Sequence, residues 1–263
     1  MQKIQMRERL VFLRNIKLIL LVLFLCSPAP IFARTERSFI QQGDTFYRQF
    51  DNINALASYK KALAIQPDNF EYRSKIIRAY NDIGEDLSSE ESESYYEQAV
   101  HQAEGLQRMF PEKSASYYWL AVSYGNLALL RGSKEKVKLS EKVEKNIQKA
   151  IALNPNYADA YVVLGIYYKE VAALNSFLKA FARLFFGNLP EGTYEDAARS
   201  FRKAISLGTS RPIYTYFHLG GIYEQMNKPE QAKNLYLNAL KFHATDHRDH
   251  IVTKRIKKRL QSL

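Results

Sequence analysis

Cysteine is almost absent from this sequence of 263 residues. The single Cys26 lies in an N-terminal stretch that we expect to be cleaved off, which would leave no thiol in the remaining chain. We therefore exclude disulfide-stapled domains and cysteine-based metal or redox sites. Long apolar runs are missing too, because residues 18–26 form a run of only nine, whereas a helix that spans a bilayer needs about 20.

Enzyme motifs are the next absence. The sequence has no Gly-x-Ser-x-Gly elbow, phosphate-binding loop, His-Glu-x-x-His pair or dinucleotide-binding glycine pattern. His243, His247 and His250 are spaced so that a helix would place the three imidazoles on one face, as a zinc or nickel site requires. Since no cysteine and no apolar shell accompany them, we interpret them as part of a polar connector. We predict no catalytic residue, no cofactor and no metal site.

Acidic charge is too scarce at the two ends to balance the basic residues there. The formal net charge is +11. Residues 1–33 carry five Lys or Arg against Glu8, and residues 241–263 carry seven against Asp246 and Asp249. The long middle part is nearly neutral, so we predict no groove that binds nucleic acid.

The first 33 residues have the organisation of a secretory signal peptide. Five basic residues precede the apolar run, a Ser-Pro-Ala-Pro segment follows it, and Ala33 ends a plausible cleavage site. We therefore predict a cleavable signal peptide at residues 1–33 and an exported protein, periplasmic or extracellular. A retained membrane anchor is the alternative.

What the sequence has in abundance is a helical repeat, best seen in YFHLGGIYEQMNKPEQAKNLYLNA at residues 216–239. Two buried helix stripes flank its Asn-Lys-Pro breaker, namely Tyr216, Leu219, Gly220 and Tyr223, and then Ala232, Tyr236 and Ala239. Gly220 and Ala232 are small where two antiparallel helices must approach each other closely. This spacing is the tetratricopeptide (TPR) pattern.

The same pattern recurs along the chain, as it must, because one such hairpin cannot bury its own apolar face. We predict an all-α fold, a TPR-like α-α superhelix of about five helical hairpins, three of them with insertions. The repeat core comprises the residues just named from Leu219 to Ala239 together with Gly43, Phe46, Ala55, Tyr59, Ala62, Leu164, Gly165, Tyr168, Ala197, Phe201 and Ala204.

An insertion in the fourth unit predicts an additional helix at residues 175–186. Phe177, Phe181, Leu184 and Phe185 lie on one apolar face of it, although a TPR hairpin does not need such a helix to close. Three interpretations stay open: the helix packs as core against the concave surface, lines a lipophilic cavity, or rests on a membrane surface. These four residues are our candidate hydrophobic pocket.

The C-terminal segment predicts a basic helix at residues 246–263. Its apolar stripe is narrow and consists of Ile251, Val252, Ile256 and Leu260. Such a helix commonly caps the last hairpin of a repeat array, and peripheral contact with anionic lipid is the alternative. The repeat domain is then residues 34–245.

Several segments of the sequence also resemble those of a known protein family. They are residues 77–80 with the Ser/Glu-rich loop and residues 96–99 behind them, residues 150–155 followed by Leu164 and Gly165, residues 180–201, residues 217–219, and the turn at 228–232. In order and in the sizes of the insertions, they resemble the regulator of microtubule dynamics family of TPR-like proteins over roughly residues 70–242. The resemblance implies an all-helical scaffold. In some animal members it also implies association with microtubules or membrane contact sites, and phospholipid binding within the TPR domain.

The function that we predict is that of an exported, monomeric TPR scaffold whose concave face binds an unknown protein or peptide. Most repeat tyrosines belong to the core, so the binding side chains should come from other positions of each first helix. The alternative is binding or transfer of a lipid or another hydrophobic small molecule in a cavity lined by the helix at 175–186.

Overall fold

The computed structural model describes residues 29–174 and 192–263, which contain helices and no strand. The predicted all-α fold is confirmed. The helices of this described part are α1 (Ala29–Arg48), α2 (Asn52–Ile65), α3 (Phe70–Asp86), α4 (Ser89–Met109), α5 (Ser114–Leu130), α6 (Ser133–Leu153), α7 (Ala158–Ala172), α8 (Tyr194–Ser206), α9 (Pro212–Gln225), α10 (Pro229–Ala239) and α11 (His247–Leu260).

The helices pair in chain order into five hairpins. Extensive contacts join α1 to α2, α3 to α4, α5 to α6, α7 to α8, and α9 to α10. The first helices also touch one another, α3 with α5, α5 with α7, and α7 with α9, so they line the inner side of a superhelix. The last helix, α11, packs against α9 and α10.

Polar side chains fix where several helices begin. The Asp51 carboxylate accepts a hydrogen bond of 3.1 Å from the backbone N–H of Asn54 at the start of α2. Thr193 and Asp196 form a capping box at the start of α8, in which each side chain accepts from the other residue's backbone N–H. These bonds satisfy N–H groups that have no partner within the first turn of a helix.

The two regular hairpins turn through equivalent left-handed residues, Phe50 with φ 64° and Asn227 with φ 57°. Asparagine adopts this region readily, whereas a bulky side chain does so only where its surroundings hold it. The Phe50 ring packs edge-on against His250 of α11, with ring centroids 5.2 Å apart. The turn of the first hairpin therefore touches the last helix of the chain.

Glycine opposite an aromatic ring is the recurring contact inside the hairpins. It pairs Gly43 with Tyr59, Gly84 with Tyr96, Gly165 with Phe201, and Gly220 with Tyr236. A Cβ at Gly165 would lie only 2.8 Å from a ring carbon of Phe201, so no other residue fits without displacing the ring. In the third hairpin Gly125 faces an aliphatic side chain instead, since a Cβ there would lie 3.8 Å from a methyl carbon of Val143.

Most residues assigned to the repeat core have little or no exposed surface. The buried ones are Gly43, Ala55, Tyr59, Ala62, Gly165, Ala197, Phe201, Ala204, Leu219, Gly220, Ala232, Tyr236 and Ala239. Phe46, Leu164, Tyr168 and Tyr223 are only partly buried. In α7 the buried side chains include Val162, Tyr167 and Val171, because a first helix packs both on its own partner and on the neighbouring hairpins.

Two predicted segments fall wholly or mainly outside the described residues. Helix α1 begins at Ala29 and continues through the predicted cleavage site after Ala33, whereas residues 1–28 are not described. The candidate pocket residues Phe177, Phe181, Leu184 and Phe185 also lie outside the described ranges. In those ranges no helix combines the length and the apolar character that crossing a membrane requires. The domain boundaries at 33/34 and 245/246 stay predictions.

A candidate binding groove on the concave face

The inner side of the superhelix holds a groove, which we call the concave groove. It is lined by residues of α3, α5, α7 and α9, is bordered by the start of α6, and is closed on one side by α11. A cavity of about 140 Å³ lies within it. The groove is therefore where the first helices of four hairpins meet the C-terminal helix.

Aliphatic side chains form one wall of the concave groove. Val122 and Leu129 lie seven residues apart on α5, and Val162 and Ile166 lie four apart on α7, so each pair shares a helix face. Leu129 is 61% exposed, the second most exposed of the large apolar side chains among the described residues. Leu129 therefore offers apolar surface that the described residues leave uncovered, whereas Val162 is itself buried.

An ion-pair cluster closes the other wall of the groove. Arg248, at the start of α11, bridges the carboxylates of Asp82, 3.2 Å away, and Glu85 on α3. The guanidinium carbon also lies 5.7 Å from the ring centre of Tyr214 on α9. One arginine thus ties the C-terminal helix to both the second and the fifth hairpins.

Burial raises the pKa of both carboxyl groups in this cluster. The pKa of Glu85 rises to about 7, because burial outweighs the attraction of Arg248 and because Asp82 adds a like charge. The pKa of Asp82 is raised, also chiefly by burial. Burial by itself would lower the pKa of Arg248, but Glu85 and Asp82 raise it, so the guanidinium stays charged. Arg248 is the cation that forms ion pairs with both carboxyl groups.

Two further charged groups at the groove, Asp159 and Arg211, are held by neighbours. Asp159 accepts hydrogen bonds from the Thr209 hydroxyl at 2.7 Å and from the Ser210 backbone N–H at 2.9 Å. Arg211 stacks over Tyr214, with its guanidinium carbon 4.6 Å from the ring centre, and lies 4.0 Å from Asp246. These contacts stabilise the loop before α9.

A buried amide network sets the register between the second and third hairpins. Asn81 on α3 donates to the Ser123 hydroxyl on α5 at 3.1 Å, and its own side-chain oxygen accepts from Asn126 at 2.9 Å. Asn81 is 2% exposed. Buried amides are costly unless they are paired, so this network favours one alignment of α3 against α5.

Sequence reasoning did not identify Asp82, Glu85 or Arg248. Asp82 and Glu85 occupy polar positions of an otherwise ordinary first helix, and Arg248 belongs to a segment rich in basic residues. Asp82 and Arg248 are 166 positions apart in the chain, and only the curvature of the array brings them together. In the described ranges no group of three His, Cys, Asp or Glu is arranged to hold a metal ion.

This chain has relatives among known proteins. The family model for regulator of microtubule dynamics protein 1-3 matches residues 39–263. Mouse regulator of microtubule dynamics protein 1 is 27% identical over 160 residues, which are 60% of this chain and 52% of the mouse protein. Rat regulator of microtubule dynamics protein 3 is 29% identical over 161 residues, which are 60% of this chain and 34% of the rat protein. The chain thus matches about half or less of these relatives' lengths.

A solved structure supports the architecture. The crystal structure of a thermophilic TPR protein from Thermus thermophilus superposes with a TM-score of 0.65 at 19% sequence identity, covering 86% of this chain and 99% of that protein. At this identity the likeness concerns the fold alone. The predicted TPR-like superhelix is confirmed.

These relatives contradict the predicted location. We expected an exported protein, periplasmic or extracellular, from the basic and apolar pattern of the first 33 residues. That prediction is wrong, because the proteins that this chain matches are regulators of microtubule dynamics, which are not periplasmic or secreted proteins. The pattern at the N-terminus reports only local composition, which does not by itself determine a destination.

The likeness inferred from the order of the insertions agrees with the family comparison. It placed the similarity at roughly residues 70–242, and the family model extends it in both directions. Because that model matches most of the sequence, from residue 39 to residue 263, the chain belongs to the regulator of microtubule dynamics family.

Proposed function

We propose that the chain is a protein-interaction scaffold in the regulation of microtubule dynamics and that its concave groove binds a segment of a partner protein. The observation that carries this proposal is the apolar wall of the groove, where Leu129 is 61% exposed between hairpins that are otherwise well packed. An uncovered apolar strip beside charged groups is typical of a surface that binds another protein. Because the chain belongs to the regulator of microtubule dynamics family, we propose that the scaffold acts in that process.

The test uses the full chain and two matched variants. Leu129→Glu places a charge on the apolar wall, whereas Leu237→Glu places one on α10, where the side chain is 46% exposed and does not line the concave groove. Each protein is sedimented with purified microtubules, and each is used to capture proteins from a cell extract. We expect Leu129→Glu to abolish the binding that the wild type and Leu237→Glu share.

Two results would separate the parts of this proposal. Sedimentation with microtubules that Leu129→Glu leaves unchanged would mean that the groove is not the interaction surface. Capture of a partner through the groove, without sedimentation, would mean that the chain acts on microtubules only through that partner. Equal capture by all three proteins would contradict the proposed groove.

A second candidate function is association with phospholipid at the basic face of α11. Lys254, Arg255, Lys257, Lys258 and Arg259 are all exposed. A basic side chain near an anionic membrane contributes about 1 kcal/mol of attraction. The triple variant Lys254/Lys257/Lys258→Gln should then lose binding to vesicles that contain phosphatidylserine.

The matched control for this experiment is the triple variant Lys138/Lys145/Lys149→Gln on α6, whose three lysines are also exposed. It removes the same charge from a different surface. Vesicles of pure phosphatidylcholine serve as the uncharged reference. Equal loss of vesicle binding in both triple variants would indicate an effect of net charge alone and would contradict a specific role for α11.

Lipid binding in a cavity is the related alternative. The predicted pocket residues Phe177, Phe181, Leu184 and Phe185 follow α7 in the chain, and α7 contributes Val162 and Ile166 to the apolar wall. Native mass spectrometry of the purified chain tests this alternative directly. A co-purified lipid that Phe181→Ala removes would support it, and a lipid-free spectrum would contradict it.

A further inference from the structure

The C-terminal helix makes two different kinds of contact. Val252 and Ile256 are buried against α9 and α10, in a cluster with Tyr236 and Ala239, as expected of a helix that caps the array. At its start, however, α11 reaches across the concave groove to α3 through Arg248. Capping the fifth hairpin does not require that second contact.

The residues that receive Arg248 form a site shaped for a guanidinium group. Asp82 and Glu85 lie three positions apart on α3, so their carboxylates project from neighbouring turns of one helix face. The ring of Tyr214 lies to one side of the guanidinium. Two carboxylates and an aromatic face are the groups that bind an arginine side chain most effectively.

Arg248 fills this site incompletely. Its Nε is buried, yet it donates to no acceptor in the part of the chain that the structure describes. Beside it lies the cavity of about 140 Å³, which Glu85, Tyr214 and Arg248 line together with the apolar wall. Helix α11 thus closes the concave groove without filling it.

We propose that α11 is an internal ligand of the concave groove. Asp82, Glu85 and Tyr214 form a binding site for an arginine side chain, and Arg248 occupies that site in the free protein. A partner segment that carries an arginine followed by apolar residues displaces Arg248 and extends onto the wall that contains Leu129. This inference rests on the proposed function, because it names the chemistry of the partner that the groove binds.

The experiment uses a fluorescently labelled synthetic peptide with the sequence of residues 244–263, which carries the same arginine. It is titrated into the full-length wild-type chain and into full-length Arg248→Ala, and binding is followed by fluorescence anisotropy. We expect the peptide to bind Arg248→Ala at least tenfold more tightly than the wild type, because the variant's own helix no longer places a guanidinium group in the site. A peptide with alanine in place of Arg248 should bind both chains weakly.

Two further measurements keep the result interpretable. The combined variant Asp82→Asn, Glu85→Gln and Arg248→Ala should lose the peptide binding gained by Arg248→Ala, since the carboxylates that receive the arginine are gone. Hydrogen exchange of the amides at residues 247–260 should be faster in Arg248→Ala than in the wild type. If Arg248→Ala does not fold, Arg248→Lys, which keeps the charge but not the forked geometry, takes its place.

Equal affinity of the peptide for the wild type and for the variant, with unchanged exchange in α11, would overturn the proposal and leave α11 as a fixed cap. That outcome is distinguishable from failure of the proposed function. The comparison of Leu129→Glu with Leu237→Glu tests whether the groove binds a partner at all, whichever way α11 behaves.

Discussion

The ring of Tyr236 lies against Gly220 so closely that no Cβ fits between them, and the Tyr236 hydroxyl donates a 2.8 Å hydrogen bond to Glu224 one turn further along α9. In the first hairpin Tyr59 packs on Gly43 in the same way, and its hydroxyl donates a 2.8 Å hydrogen bond to Asp44, the residue that follows this glycine. A glycine and a carboxylate on the first helix thus hold both ends of a tyrosine from the second. This contact sets how closely the two helices of a regular hairpin approach.

The first prediction concerns that contact. Gly220→Ala should reduce the free energy of unfolding by about 1–3 kcal/mol, because the new Cβ displaces a packed ring. Gly105→Ala is the matched control, since Gly105 lies within α4 and only the far end of Arg108 approaches it. Alanine there should stabilise the helix by about 0.5–1 kcal/mol. Chemical denaturation measures both, and equal effects would contradict the packing role of Gly220.

Sequence spacing was sufficient to predict this part of the fold. Hairpins are local, so the positions of Gly220 and Tyr236 follow from helix periodicity and from the length of the turn. The order of the insertions was also enough to indicate the family. Both signals depend on residues that lie close together in the chain.

The ion-pair cluster could not be predicted in the same way. Whether Arg248 lies within contact distance of Glu85 depends on the rotation between successive hairpins. This rotation is small at each step but accumulates along the whole array. A change of a few degrees per hairpin would move α11 out of reach of α3, and spacing does not determine that angle. The buried partners of Asn81 were missed for a related reason, because a polar residue on a first helix gives no sign of a bond to the next hairpin.

The second prediction concerns the buried amide network. Asn81→Ala leaves the Ser123 hydroxyl and the Asn126 amide without their partner. We therefore expect the free energy of unfolding to fall by about 1–3 kcal/mol. Asn146→Ala on α6 is the control, because among the described residues that side chain bonds only the Lys142 carbonyl in the same helix. The control should change the free energy of unfolding by less than about 0.5 kcal/mol. Urea denaturation followed by circular dichroism compares the two, and a control loss as large as that of Asn81→Ala would rule out a special role for the network.

The third prediction is a dependence on pH. Burial disfavours the imidazolium form of His218, which packs 4.3 Å from the Tyr214 ring, and it lowers the pKa well below the usual range. Lys169, Arg211, Arg248 and Arg255 act in the same direction. Below about pH 6.5 the unfolded chain therefore binds a proton at His218 that the folded chain does not bind. The contribution of His218 to the free energy of unfolding is complete above that pH and is lost as the pH falls.

This group alone should reduce the free energy of unfolding by up to about 1.4 kcal/mol per pH unit below pH 6.5. Glu85 acts in the opposite direction, because its raised pKa means that the folded chain binds a proton more tightly than the unfolded one. The informative comparison is therefore between the wild type and His218→Gln, measured by urea denaturation at pH 7, 6 and 5. The variant should lose less stability on acidification, and identical pH profiles would refute this role of His218.

The fourth prediction concerns the capping role of α11, and two isoleucines of the same helix test it. Ile256 is 0% exposed in a cluster with Tyr236 and Ala239, whereas Ile251 is 37% exposed. Ile256→Ala should therefore lower the free energy of unfolding by about 2–4 kcal/mol, and Ile251→Ala by less than about 1 kcal/mol. Because each hairpin of a repeat array is stabilised by its neighbours, local unfolding in Ile256→Ala should begin at the fifth hairpin. Hydrogen exchange in Ile256→Ala should then accelerate in α9 and α10 before it does in α1 and α2, whereas uniform acceleration along the chain would mean that α11 does not act as a local cap.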